Sequence, residues 1–82
     1  MKETELINRI EQGLKDVYAG RGESFAIGGV VFDRFGVRFA DNRTDIEHVA
    51  SASVSLDGRV VVVCIHTDWT DFQVIIPLAN IQ

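Results

Sequence analysis

VASASVSLDGRVVVVCIHTDWTDFQVIIP, residues 49–77, is the stretch on which the fold turns. An Asp57-Gly58 dipeptide lies between two strand-like runs. Asp-Gly in that setting signals a two-residue type I′ hairpin, whose central positions both need positive φ. With Asp57 and Gly58 as the turn, Leu56 faces Arg59 and paired residue numbers add to 115. Val54 then meets Val61, Ala52 meets Val63 and Ala50 meets Ile65, while the opposite face pairs Ser55 with Val60, Ser53 with Val62 and Ser51 with Cys64. The next reversal, HTDWTDF (66–72), must keep the same side inward. A four-residue loop from Thr67 to Thr70 does so. Paired numbers then add to 137, setting Phe72, Val74 and Ile76 across from Ile65, Val63 and Val61. Side chains alternate with period two, so a one-residue slip would turn the whole set outward. Pro77 has no N–H to give a ladder and marks an edge or an end. Three strands follow, about 46–56, 59–66 and 71–77.

The N-terminal segment has a different period. Leu6, Ile7, Ile10, Leu14, Val17 and Tyr18 recur at three- and four-residue steps, which predicts a helix over about 3–19. Gly20 or Gly22 suits its left-handed cap. Gly13 inside the helix costs near 1 kcal/mol relative to alanine, and close approach to a strand is the expected reason. SFAIGGVVF then reads as one strand over 24–32 with a Gly28-Gly29 bulge that lets Phe25, Ile27, Val30 and Phe32 share a face. DRFG fits a type I turn. GVRFA gives a short strand, 37–40, and DNRTD has loop chemistry. The expected fold class is α+β: one domain, 1–82, with a single N-terminal helix on a four- to five-stranded antiparallel meander. A small half-barrel is the alternative.

Composition narrows the function classes. Of the 82 residues, 46% are apolar, enough for a core, yet no apolar run is long enough to span a membrane. The N-terminus lacks the pattern of a signal peptide. Cys64 is the single cysteine, so no internal disulfide forms and a cytoplasmic protein is expected. The formal charge is −4, and all of it falls in residues 44–82, where Arg59 stands against Asp45, Glu47, Asp57, Asp68 and Asp71. That balance argues against nucleic acid or an anionic membrane as partner. Arg34, Phe35, Arg38, Phe39 and Arg43 interleave arginine with aromatics as single-strand binders do. The acidic residues around them leave residues 33–47 at −1.

Three readings of HTDWTDF stand side by side. It is a solvated turn, a protein-binding tip, or a site of chemistry. As a tip it carries Trp69 with Asp45, Glu47, Asp68 and Asp71 around it, an aromatic anchor with an acidic rim. Chemistry finds less support. His48 and His66 belong to opposite faces, and DWTD offers too few oxygens for calcium. Cys64 and His66 share a face, but no third group presents itself to orient the histidine. No catalytic, cofactor-binding or metal residues are therefore expected. Val60, Val62, Cys64 and Ile75 point away from the predicted helix, and one helix cannot cover both faces of a sheet. They are the expected assembly face of a homodimer.

The run GVRF…IEHVASASVSLDGRVVV…PLANI resembles the strand-and-hairpin pattern of bacterial pleckstrin-homology-like domains over about 45 residues. The resemblance implies a half-barrel. The chain has an N-terminal helix in place of the C-terminal one that closes such barrels. Together these features lead to the expectation of a non-enzymatic protein-interaction domain, such as a stand-alone inhibitor or adaptor of phage or bacterial origin. A half-barrel holding an apolar small molecule is the rival.

Overall fold

The computed structural model describes residues 2–81. The chain is α+β, with one N-terminal helix packed on antiparallel sheets. Helix α1 spans Glu3–Tyr18 and buries Leu6, Ile10, Leu14 and Val17 along one stripe, as the periodicity requires. Its end is a Schellman cap: Gly20 adopts φ +80°, the Arg21 N–H reaches the Asp16 carbonyl and the Gly20 N–H that of Val17.

Among the described residues seven strands follow: β1 Ser24–Ile27, β2 Val30–Asp33, β3 Gly36–Phe39, β4 Asn42–Asp45, β5 Val49–Asp57, β6 Val60–Thr67 and β7 Asp71–Pro77. A 3₁₀ turn, Leu78–Asn80, follows β7. The strands form two meanders, β1-β2-β3-β4 and β5-β6-β7, and do not close into a barrel. The half-barrel alternative does not hold: among the described residues no ladder joins β4 to β5, and Ile46–His48 links them as irregular backbone.

In the first meander two local expectations need correction. Residues 24–32 are a hairpin, not one bulged strand. Gly28 and Gly29, at φ +60° and +82°, form its two-residue turn, and Ile27 pairs with Val30. Both positive dihedrals are those of a type I′ turn. The shared face survives, because cross-strand partners point the same way: Ile27, Val30 and Phe32 are buried and Phe25 half-buried. DNRTD is not a loop, since Asn42–Asp45 is an edge strand with all four residues exposed. It carries no hydrophobic alternation for a sequence reading to detect.

The second meander has the expected faces. Val61, Val63, Ile65 and Ile76 are wholly buried, and β6 pairs with β7 in the predicted register. The β5–β6 register differs by two residues: Asp57 pairs with Val60, Val54 with Val63 and Ala52 with Ile65. The turn is Gly58-Arg59, with only Gly58 at positive φ, +62°. Glycine at the first central position is the type II′ alternative to type I′. A two-residue shift preserves parity, so every side chain keeps its side. The register breaks between Val49 and Ser51, and Ala50 lies exposed at the irregularity instead of under the helix.

Both sheets and α1 feed one core, with Phe32 the largest wholly buried side chain. The helix lies on β5, β1 and β2. Gly13 has the reason its position suggested: a Cβ there would overlap the Phe25 ring. Each aliphatic side chain moved fully out of water contributes about 1.5–3 kcal/mol.

Candidate functional site

Two groups of side chains stand out, one at the end of the molecule and one on the uncovered face of β5-β6-β7.

The end group is held by turns. In Thr67–Thr70 the Thr67 hydroxyl donates to the Thr70 carbonyl at 2.7 Å and accepts from the N–H groups of Trp69 (3.2 Å) and Thr70 (3.0 Å). This fixes the Asp68-Trp69 tip and projects the indole outward, 79% exposed. The Asp68 N–H donates to the His48 carbonyl, and the His48 ring meets Trp69 edge-on at 6.1 Å between centroids. His48 has φ +58°, a left-handed conformation uncommon for a non-glycine residue. Beside it a shallow hollow is lined by Arg34, Phe35, Glu47 and His48. Phe35 is 67% exposed, and the Arg34 guanidinium lies 5.9 Å from its ring centroid.

The β2–β3 turn that carries Phe35 is braced electrostatically. The Asp33 carboxylate accepts the Phe35 N–H at 2.8 Å and both terminal nitrogens of Arg43, at 2.8 and 3.2 Å. Arg43 Nε also donates to Asp45 at 2.9 Å. The hydrogen bond from Arg43 holds the Asp33 carboxyl below the usual aspartate range despite partial burial. Tyr18 lies close enough to feel this carboxylate. Burial foremost, and then Asp33, push its phenol up to about 12.

The predicted tip residues thus divide. Glu47, Asp68 and Trp69 belong to the exposed end with His48 and Phe35. Asp45 is engaged by Arg43 on β4, and Asp71 pairs with His66 on the sheet face. The sequence register would set His48 opposite Thr67; the two-residue shift of the hairpin moves that partner to Ala50, and the irregularity between Val49 and Ser51 moves it back by one, so Val49 lies opposite Thr67.

The face group forms around His66. Cys64 and His66 are alternate residues of β6, and Asp71 is the direct partner of His66 on β7. His66 Nδ1 lies 3.0 Å from Asp71 Oδ1 and 3.9 Å from Cys64 Sγ, while Nε2 lies 3.4 Å from Ser53 Oγ on β5. The expectation that no third group would orient the histidine is corrected: Asp71 does so. Its place follows from the β6–β7 register that the sequence implies, which sets Asp71 across from His66 and not along the same strand. The order Ser53–His66–Asp71 has the connectivity of a nucleophile relay. Ser53, however, sits exposed in the middle of a regular strand, not on a sharp turn at a cleft where such a nucleophile is presented. The same face carries Val60 and Val62, half-buried, and Ile75, 52% exposed and paired with Val62.

Comparison of the chain with protein-family models, with curated proteins and with solved structures found no match. No helix among the described residues is long and apolar enough to cross a membrane.

Proposed function

We propose that the chain is a protein-interaction module that engages its partner through the Trp69 end. The observation that carries this reading is that two largely exposed aromatic side chains, Trp69 and Phe35, each lie beside His48, a non-glycine residue in a left-handed conformation. Exposed aromatics held by rigid turns match the anchors that dominate binding interfaces, since little side-chain freedom remains to be lost. Glu47 and Asp68 flank them and favour a partner whose complementary surface is basic. The module acts as an inhibitor or adaptor, without chemistry of its own. The apolar interior is filled by Phe32, Ile10, Leu14, Ile65 and Ile76, so the packing gives no support to small-molecule storage between the sheets.

The test is capture from a bacterial lysate with wild type, Trp69→Ala and Phe35→Ala side by side. Loss of an anchor costs at least about 2 kcal/mol, roughly 30-fold in affinity. A specific partner should be depleted by both variants while their circular dichroism stays native. Retention of every captured protein by both would reduce the end to two solvated turns.

Self-association through Val60, Val62, Cys64 and Ile75 is the accompanying proposal, supported by the exposure of Ile75 next to Val62 on a face without a covering helix. Sedimentation should show a dimer in the wild type and a monomer in Ile75→Lys. A monomeric wild type at high concentration removes this part alone.

A further inference from the structure

We propose that Cys64, His66 and Asp71 form a binding site for a divalent zinc-class ion, with Ser53 as the outer support. The three donor atoms all lie within 4.8 Å of one another. In a tetrahedral zinc centre, with bonds of about 2.3 Å to sulfur and about 2.0–2.2 Å to nitrogen and oxygen, donors sit roughly 3.3–3.6 Å apart. The separation of 3.0 Å from His66 Nδ1 to Asp71 Oδ1 must open slightly, and that of 3.9 Å from Nδ1 to Cys64 Sγ must close slightly. The third separation, Cys64 Sγ to the Asp71 carboxylate, lies within 4.8 Å, and rotation of the Cys64 and Asp71 side chains brings the donors together.

The scaffold fixes the site more firmly than three surface residues would be fixed by chance. Alternation on β6 puts the thiol and the imidazole on one side, and the β6–β7 ladder sets Asp71 beside the ring. Ser53, paired with Cys64 across the β5–β6 ladder, faces the far edge of the imidazole. With Nδ1 on the ion, Nε2 keeps its proton and donates it to Ser53 Oγ, the outer hydrogen bond that metal-bound histidines make. A thiolate, an imidazole and a carboxylate together select zinc-class ions over magnesium or calcium, which prefer oxygen alone. On binding, the thiol proton passes to solvent and the thiolate and carboxylate neutralise the ion. The Asp71 side chain is 63% exposed and that of His66 38%, so the fourth position opens to solvent, where water or a partner's donor completes the shell.

An ordinary exposed His–Asp pair would account for the 3.0 Å contact but has no use for the thiol. The reduced, chelator-washed full chain is therefore titrated with Co²⁺ and then displaced with Zn²⁺. Wild type should bind one equivalent with a thiolate-to-cobalt charge-transfer band that Zn²⁺ bleaches. Cys64→Ser should lose the band, and Cys64→Ser, His66→Gln and Asp71→Asn should each weaken binding at least 10-fold. Ser53→Ala should cost about 10-fold, as outer-shell losses do. All four positions are exposed or half-buried, and circular dichroism verifies that the variants fold. No saturable binding by the wild type, or an affinity that Cys64→Ser leaves unchanged, overturns the site.

Discussion

Gly13→Ala should destabilise this protein, although the same change on an open helix surface stabilises. Glycine inside a helix costs near 1 kcal/mol relative to alanine, so propensity alone predicts a gain of that size. The Phe25 ring opposes it. A Cβ on Gly13 would overlap the ring at Cδ1, Cε1 and Cγ. Cγ is the ring atom nearest the backbone, so the whole side chain must move, not only its tip. Overpacking of this kind costs about 1–3 kcal/mol. The net effect is then between zero and about 2 kcal/mol of destabilisation. In a Phe25→Ala background the obstacle is gone, and Gly13→Ala should stabilise by about 1 kcal/mol. The sign therefore reverses, with a coupling energy of about 1–3 kcal/mol, well outside the scatter for independent sites. Urea unfolding of the four proteins reads it directly. With a slope near 1 kcal/mol/M for a small domain, each kcal/mol moves the midpoint by about 1 M. A stabilising Gly13→Ala in the wild-type background, or equal effects in both, would refute the reasoning that places Phe25 on the helix.

Two pH limbs follow from the brace beneath Phe35. The Asp33 carboxyl is held below its ordinary 3.8 by Arg43, so its contribution is complete above that value and is lost as pH falls through the depressed one. Asp33→Asn should flatten the decline of the urea midpoint below about pH 4, and an unchanged acid limb would show the ion pair to be idle. Tyr18 has the opposite sense: its phenol is raised from 10.0 to about 12, so the unfolded chain ionises first and stability falls as pH climbs between those values. Tyr18→Phe should remove that alkaline limb, and tyrosinate absorbance appearing near pH 10 in the native protein would contradict it.

How much was legible in sequence depended on which physical signal each segment carried. Helix α1 and the β6–β7 ladder announce themselves through periodicity, because one side of each is buried. For the β5–β6 hairpin the sequence implies the correct faces but a register two residues out of step. Asp-Gly suits type I′ at 57–58, yet Gly58 also serves as the first residue of type II′, and only tertiary packing chooses between them. Gly28-Gly29 fits a bulge or a turn equally well by conformational freedom. The turn prevails because β1 and β2 then bury Ile27, Val30 and Phe32 together. Strand β4 is exposed at every position, so its backbone pairing with β3 left no trace in side-chain pattern. The end patch was only half legible. Trp69 declared itself by its neighbours, whereas the joining of His48 and Phe35 to it depends on how the two meanders meet at Ile46–His48. The charge of Asp71 places it with the tip, whereas its pairing with His66 across β6–β7 places it on the sheet face.

Every strand here pairs only with its neighbour in the chain, and four of the reversals, at 28–29, 34–35, 40–41 and 58–59, take two residues each. Closing such short loops forfeits little chain entropy, and folds built from near neighbours in sequence form quickly. The long-range step is the docking of α1 on β5. On a ribosome that helix emerges before the strands it packs on, and part of its apolar stripe must wait for the serine-rich strand some thirty residues later.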